Sequence, residues 1–182
     1  RDVREEVAEG VNELKTNTGI VPGLAAVLVG DNPASKTYVR NKRRACEEVG
    51  ILSETFQLPS TVRHEDLLSQ ILRLNEDRRF HGILIQLPLP PHIEAGDIIV
   101  AMNPDKDVDG MHPVNVGRLV TGNAKYIPGT PAGIQQMLLR SGYPIAGKHM
   151  VVCGRSDIVG KPMAILAMQK GPAANATVTV CH

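Results

Sequence analysis

Tyr38 and Lys42 stand four residues apart in the run Ala34 to Arg44, ASKTYVRNKRR. In a helix, that spacing puts a phenolic hydroxyl and an amine on one face, one turn apart, within reach of one small pocket. A Lys so placed can act as a general base if its site partly desolvates it, because an amine fully ionised in water holds its proton too tightly at neutral pH. The same run carries Lys36, Arg40, Arg43 and Arg44. A solvated, charged helix face is therefore the competing reading, and the segment alone leaves both open.

Three other stretches carry groups that could do chemistry. Gln86 is the polar residue of the apolar run Gly82 to Leu87, GILIQL. A buried amide needs hydrogen-bond partners, so it is either tied to nearby backbone or part of a site. Asn103 to His112, NPDKDVDGMH, crowds Asp105, Lys106, Asp107 and Asp109 into a loop that closes on Gly110. Such density is ordinary at a surface. Asp107 and Asp109 raise the thought of a metal, but no third acidic ligand at useful spacing supports one. Finally, GRSDIVGKP at 154–162 joins the apolar run Lys148 to Cys153 to a second apolar run, Met163 to Met168. A Gly-rich turn between a strand and a helix leaves backbone N–H groups and the positive end of a helix dipole facing outward, which suits a phosphate. The pattern is not GxGxxG, since Ser156 takes the middle glycine position and Gly160 comes late, so a plain strand-to-helix turn is the alternative. Arg155 favours the phosphate reading, because a guanidinium beside a dinucleotide turn can pair with an adenosine 2′-phosphate and so select NADP.

The elements that must position these groups follow from hydrophobic spacing. Val3, Val7, Val11 and Leu14 predict an amphipathic helix over 2–16. Leu24 to Val29 predicts a buried strand ended by Gly30 to Pro33, with the Tyr38 and Lys42 helix running on to Gly50. Ile51 to Leu58 is the next strand, His64 to Arg79 the next helix, and Gly82 to Leu87 the third strand, stopped by Pro88, Pro90 and Pro91. Alternation of this kind means βαβ units and a parallel sheet covered on both faces, with ligands gathering beyond the carboxyl ends of the strands. Residues 118–130, rich in Gly and Pro, predict a turn-rich crossing between two domains, 1–126 and 127–182. A helix from Thr130 or Pro131 to Gly142, a strand at Lys148 to Cys153, the helix Met163 to Met168 and a strand at Ala176 to Cys181 follow.

Composition removes several classes of function. The chain of 182 residues has no Trp, two Phe and three Tyr, so its core must come from aliphatic side chains, as where helices pack on a parallel sheet. A formal net charge of +1 and a basic run holding no aromatic but Tyr38 speak against nucleic acid. Cys46, Cys153 and Cys181 are far apart in sequence, with no CxxC pair and no His at ligand spacing, which argues against a disulfide framework or a zinc site. There is no run of 18 apolar residues, and the charged N-terminus is unlike a signal peptide. A soluble protein of the cytoplasm is expected, or of an organelle if a transit peptide was removed.

Taken together and in order, SKTYVRNK at 35–42, GILIQLPLP at 82–90, NPDKDVDG at 103–110, PGTPAG at 128–133 and GRSDIVGKP at 154–162 resemble the bifunctional methylenetetrahydrofolate dehydrogenase/cyclohydrolase family. The likeness runs over essentially the whole chain. It implies an α/β fold with an N-terminal folate domain on a parallel sheet, followed by a Rossmann-like NAD(P)-binding domain that is incomplete here. By the same resemblance, Lys42 matches the catalytic lysine, Tyr38 the tyrosine that stacks on the folate, and Gln86 the glutamine that bonds the lysine. Asp109 matches the aspartate that anchors the pterin, and Ser35 is a further substrate contact. Gly154, Arg155, Ser156, Ile158 and Gly160 would hold NADP, with NAD the less favoured nucleotide. The family reading also implies a tetrahydrofolate substrate, a homodimer, and neither nucleic-acid nor membrane partners. A fragment that binds these ligands without turnover is the alternative. Gly129 departs from the family, which has Cys or another small residue there, and the family chain begins before Arg1 and continues past His182.

Overall fold

The computed structural model describes residues 2–182. The chain divides into two compact units, the first ending at Lys106 and the second beginning at Asp107.

In the first unit, α1 (Asp2–Thr18) precedes β1 (Gly23–Val29), α2 (Pro33–Glu48), β2 (Leu52–Leu58), α3 (His64–Glu76), β3 (Gly82–Ile85) and α4 (Ala95–Ala101). The three strands form a parallel sheet in the order β2-β1-β3. Gly23 pairs with Leu52 and Val29 with Leu58 on one edge of β1, and Leu24 pairs with Gly82 and Val27 with Ile85 on the other. β1 is central and buried almost throughout, which is why it is written as a continuous apolar run with no polar alternation. Ala25, Val27 and Val29 meet Leu67 and Ile71 of α3, Ile83 and Ile85 of β3, and Ile98 of α4 in one core. Both phenylalanines of the chain join it: Phe56 and Phe80 pack edge to face with centroids 5.6 Å apart.

The strand and helix expectations hold in type, with shifts at the ends. β3 stops at Ile85, short of Leu87; the N–H of Gln86 still bonds Val27 O at 2.9 Å, but Pro88 has no N–H to carry the ladder further. α3 stops at Glu76, where Asp77 leaves helical geometry and takes the Arg79 guanidinium. α4 had no counterpart among the expected elements. Its signal is local: the Glu94 side chain accepts from Gly96 N at 3.3 Å, and Ile98 is the buried anchor.

The loop from Asn103 to Lys106 is not simple surface. Asn75 Oδ1 accepts from Asn103 N at 2.8 Å while its Nδ2 donates to Ala101 O at 2.8 Å. Lys106 Nζ donates to Leu74 O at 3.0 Å and Asp77 O at 2.9 Å, so a cation closes the carbonyl end of α3 where the helix dipole is negative.

The second unit holds α5 (Pro113–Val120), α6 (Gly129–Arg140), β4 (His149–Cys153), α7 (Gly160–Met168) and β5 (Thr177–Cys181), with β4 and β5 paired in parallel. α5 occupies part of the stretch expected to be turns. His112 Nδ1 accepts from Val114 N at 3.1 Å and Pro113 opens the helix, a cap and first-turn proline that the Gly and Pro count around it obscured. Asp107 is fully buried; its Oδ2 accepts from His112 N at 2.8 Å and Asn115 Nδ2 at 2.9 Å, tying the loop to the start of α5. α7 is apolar nearly all round and begins at Gly160, earlier than Met163, because the turn before it is drawn tightly back onto the helix. Among the described residues no helix is long and apolar enough to cross a membrane.

Two substitutions test this account. A Cβ at position 23 would lie 1.9 Å from Arg79 O, a backbone atom with no free rotation to escape by. Gly23→Ala is expected to cost about 3 kcal/mol in urea unfolding, at the upper end of ordinary overpacking; an unchanged midpoint would show that the chain near Arg79 yields. Asp107→Ala removes the buried carboxylate that accepts from His112 N and Asn115 Nδ2 and should cost roughly 1–3 kcal/mol in the same measurement, with a loss below about 0.5 kcal/mol arguing that α5 does not depend on this carboxyl.

Candidate functional site

In the sheet order β2-β1-β3, the chain leaves β1 toward β2 on one side and later returns to β3 on the other. The carboxyl ends of β1 and β3 therefore mark the point where the strand order reverses, the place at which α/β sheets hold ligands. After β1, Asn32 caps α2 by accepting from Ser35 N at 3.0 Å, and Pro33 supplies the first helical turn. That cap sets the start of α2 and so its rotation. Ser35 and Val39 face inward, Ser35 only 7% exposed, while Tyr38 remains 52% exposed. Lys42 follows one turn on, half-buried, with Nζ 4.9 Å from the centroid of the Tyr38 ring. At that separation the ammonium and the ring face attract, by about 0.5–1 kcal/mol at a partly exposed site.

The other basic residues of α2 behave differently. Lys36 pairs with Asp31 at 2.6 Å, Arg43 with Glu47 at 3.3 Å and Arg44 with Glu48 at 3.1 Å, all on exposed surface. Such pairs contribute little to stability. A solvated face thus carries Lys36, Arg43 and Arg44, while Lys42 lies over the Tyr38 ring. Gln86 lies one residue beyond β3, half-buried, and its Nε2 donates to Leu87 O at 2.8 Å. Of the two alternatives for this amide, the structure shows the tie to nearby backbone.

In the second unit Asp109 is half-buried in the turn that follows Asp107 and closes at Gly110. Beyond it, β4 runs into the turn 154–159 and then into α7. Gly154 has φ +123°, a conformation closed to other residues, and a Cβ on Gly160 would fall 2.3 Å from Gly154 O. These two glycines let the helix start sit directly against the turn. Ser156 Oγ accepts from Val159 N and Gly160 N, each at 3.2 Å, and Ser156 O accepts from Lys161 N at 3.0 Å. The N–H groups expected to stand open at this helix start are therefore spent on Ser156, which breaks the glycine pattern and is also among the residues expected to hold NADP. Pro162, in the first turn of α7, needs no such partner. Arg155 and Ile158 are exposed on the turn. A groove of about 350 Å³ is lined by Cys153, Gly154, Arg155, Ser156, Gly160 and Met163, among others. Its glycine floor, the cation at its edge and the dipole of α7 fit the phosphates of a dinucleotide.

Comparison with known proteins bears on both halves. A family model for the tetrahydrofolate dehydrogenase/cyclohydrolase catalytic domain matches residues 1–109, and one for the NAD(P)-binding domain of the same family matches residues 128–182. The chain is 54% identical over 180 residues to the bifunctional protein FolD of Dehalococcoides mccartyi strain CBDB1, covering 99% of this chain and 61% of that protein. The crystal structure of the bifunctional FolD of Campylobacter jejuni superposes with TM-score 0.93 at 45% identity, over 100% of this chain and 63% of that one. The Trypanosoma brucei methylenetetrahydrofolate dehydrogenase-cyclohydrolase, solved with NADP and an inhibitor, gives TM-score 0.91 at 40% identity over 100% of this chain and 61% of its own. The chain thus spans about three-fifths of the length of the relatives it matches. With an α/β fold and both family domains matched in order, the chain belongs to the tetrahydrofolate dehydrogenase/cyclohydrolase family.

Proposed function

We propose that the protein of which this chain is a part oxidises 5,10-methylenetetrahydrofolate to the 5,10-methenyl form and hydrolyses that product to 10-formyltetrahydrofolate. The observation that carries this reading is the Tyr38 and Lys42 pair, 4.9 Å from ring centroid to Nζ on the helix that follows β1, in a chain of this family. The folate would be handled by residues 1–126 and the nucleotide by 127–182, a division that the two matched family domains support.

Tyr38 offers an exposed ring on which a flat pterin can stack, and Lys42 Nζ stays within reach of the one-carbon unit lying over that ring. Ser35 and Gln86 are assigned as further substrate contacts, Gln86 from just beyond the end of β3. Asp109 anchors the amino-substituted edge of the pterin as a hydrogen-bond acceptor. In the hydrolytic step a water adds to the methenyl carbon, and Lys42 Nζ takes and returns the proton as the ring C–N bond opens. General acid–base help of this kind is worth roughly 10²–10⁴-fold.

NADP is the nucleotide we assign, and when bound it accepts the hydride from the one-carbon bridge. Gly154 and Gly160 would allow the close backbone approach that its phosphates need, Ser156 holds the turn shut around the start of α7, and the exposed Ile158 and Arg155 would hold the nucleotide, with the Arg155 guanidinium supplying charge for a 2′-phosphate. The NADP complex of the Trypanosoma brucei relative supports this choice. A cytoplasmic homodimer completes the proposal.

The direct test is a spectrophotometric assay of the full-length enzyme with methylenetetrahydrofolate and NADP, following the methenyl product and its decay. Lys42→Met should slow that decay at least 100-fold while NADP binding, followed by fluorescence, persists; decay at the parent rate would remove Lys42 from the mechanism. Arg155→Ala is expected to weaken NADP roughly tenfold, equivalent to about 1.4 kcal/mol, and to leave NAD nearly unaffected. Equal loss for both nucleotides would place Arg155 away from the 2′-phosphate.

A further inference from the structure

Cys153 and Cys181 are 28 residues apart in sequence, yet the register of β4 and β5 sets them directly opposite each other on the last rung of the pair. Their sulfurs are 3.5 Å apart, with the Cys181 thiol donating to the Cys153 sulfur, and both residues are exposed. Opposed residues on neighbouring strands have backbones about 4.8 Å apart, inside the roughly 4.4–6.8 Å between Cα atoms that a disulfide accepts. Closing 3.5 Å to a bond of about 2.05 Å is a matter of side-chain rotation, with no strand movement required. Cys153 also borders the groove beside the Gly154 turn, and Gly154 N donates to Cys181 O at 2.8 Å, so the pair and the turn share one rung.

We propose that Cys153 and Cys181 form a redox modification site at the edge of the nucleotide groove, closed to a disulfide by exchange with a low-molecular-weight disulfide such as oxidised glutathione. The Cys153 thiolate attacks one sulfur of the small disulfide, whose S–S bond breaks to release one small thiolate. Cys181 then gives up its proton and attacks Cys153 Sγ, forming the intramolecular bond and expelling the second small thiolate. The two protein protons end on the two released thiols; the protein dithiol has lost two electrons and the small disulfide has gained them. The order of attack follows from the pair's hydrogen bond: the Cys181 thiol donates to Cys153 and is held above its ordinary range by that bond, so Cys181 is the thiol that reacts second. Cys46, half-buried on α2 with its thiol pushed up by burial, is the internal contrast.

During the exchange Cys153 carries a bulky adduct in the groove, so an occupied groove excludes it. That consequence rests on the nucleotide reading given above; the cross-link itself does not. The experiment treats reduced full-length protein with oxidised glutathione and maps its peptides without reduction. Cys153 and Cys181 peptides should be recovered joined and Cys46 free, and Cys181→Ser should stop at a glutathione adduct on Cys153. Recovery of both thiols free, or as two separate adducts, would overturn the site. With saturating NADP, its binding to reduced protein established by fluorescence titration, the cross-link should form at least tenfold more slowly; an unchanged rate would overturn its place at the groove. If reduced protein takes no NADP, the nucleotide reading falls, while a recovered cross-link still upholds the dithiol.

Discussion

β1 is enclosed on both faces by helices and on both edges by hydrogen-bonded parallel strands, and every other part of the first unit is arranged to keep it so. A strand with no solvent-facing side must be apolar throughout, which explains why Leu24 to Val29 carries no polar residue. It must also have its backbone groups paired along both edges, because an unpaired amide in that position would cost about as much as several surface interactions provide. Chemistry can then appear only where the strand ends. The residues after Val29 and after Ile85 are the first from each strand to leave the core, and they lead into the Asn32-capped helix and to Gln86.

The Asn32 cap has an effect beyond local helix stability. By setting where α2 begins, it sets which residues face the sheet, and the inward turn of Ser35 and Val39 leaves Tyr38 outside with Lys42 one turn later. A cap is worth only about 1 kcal/mol, but a helix rotated by one residue would turn the pair about 100° away. The second unit uses the same economy. Two glycines and one serine hydroxyl decide how close the start of α7 comes to the end of β4. The serine closes the helix start from inside, so a ligand there meets a formed turn and a helix dipole, and the charge of Arg155 lies at the rim.

The loop NPDKDVDG illustrates how similar residues take opposite roles once a fold surrounds them. Lys106 is turned inward to the last carbonyls of α3, Asp107 is fully buried against the start of α5, and Asp109 is half-buried in the turn. The bonds of Lys106 and Asp107 on either side reduce the freedom of the turn between them.

Much of this was legible in the sequence. Short apolar runs bounded by turn residues and period-3.6 spacing are local properties, so the five strands, the longer helices, the parallel class and the one-face relation of Tyr38 to Lys42 could be read without coordinates. The short helices α4 and α5 escaped, because seven and eight residues give too few turns for a period to show and their caps, Glu94 and His112, are uncommon ones. Which charges are structural and which are available was not legible either. The burial of Asp107, the inward turn of Lys106 and the spending of Ser156 on its own helix all depend on what the chain brings near them from elsewhere. The same holds for the two cysteines, whose separation in sequence suggests no relation and whose adjacency follows only from strand register. Local spacing determined the elements and the face each presents; pairing and burial, which depend on residues distant in the chain, decided which polar groups remain for chemistry.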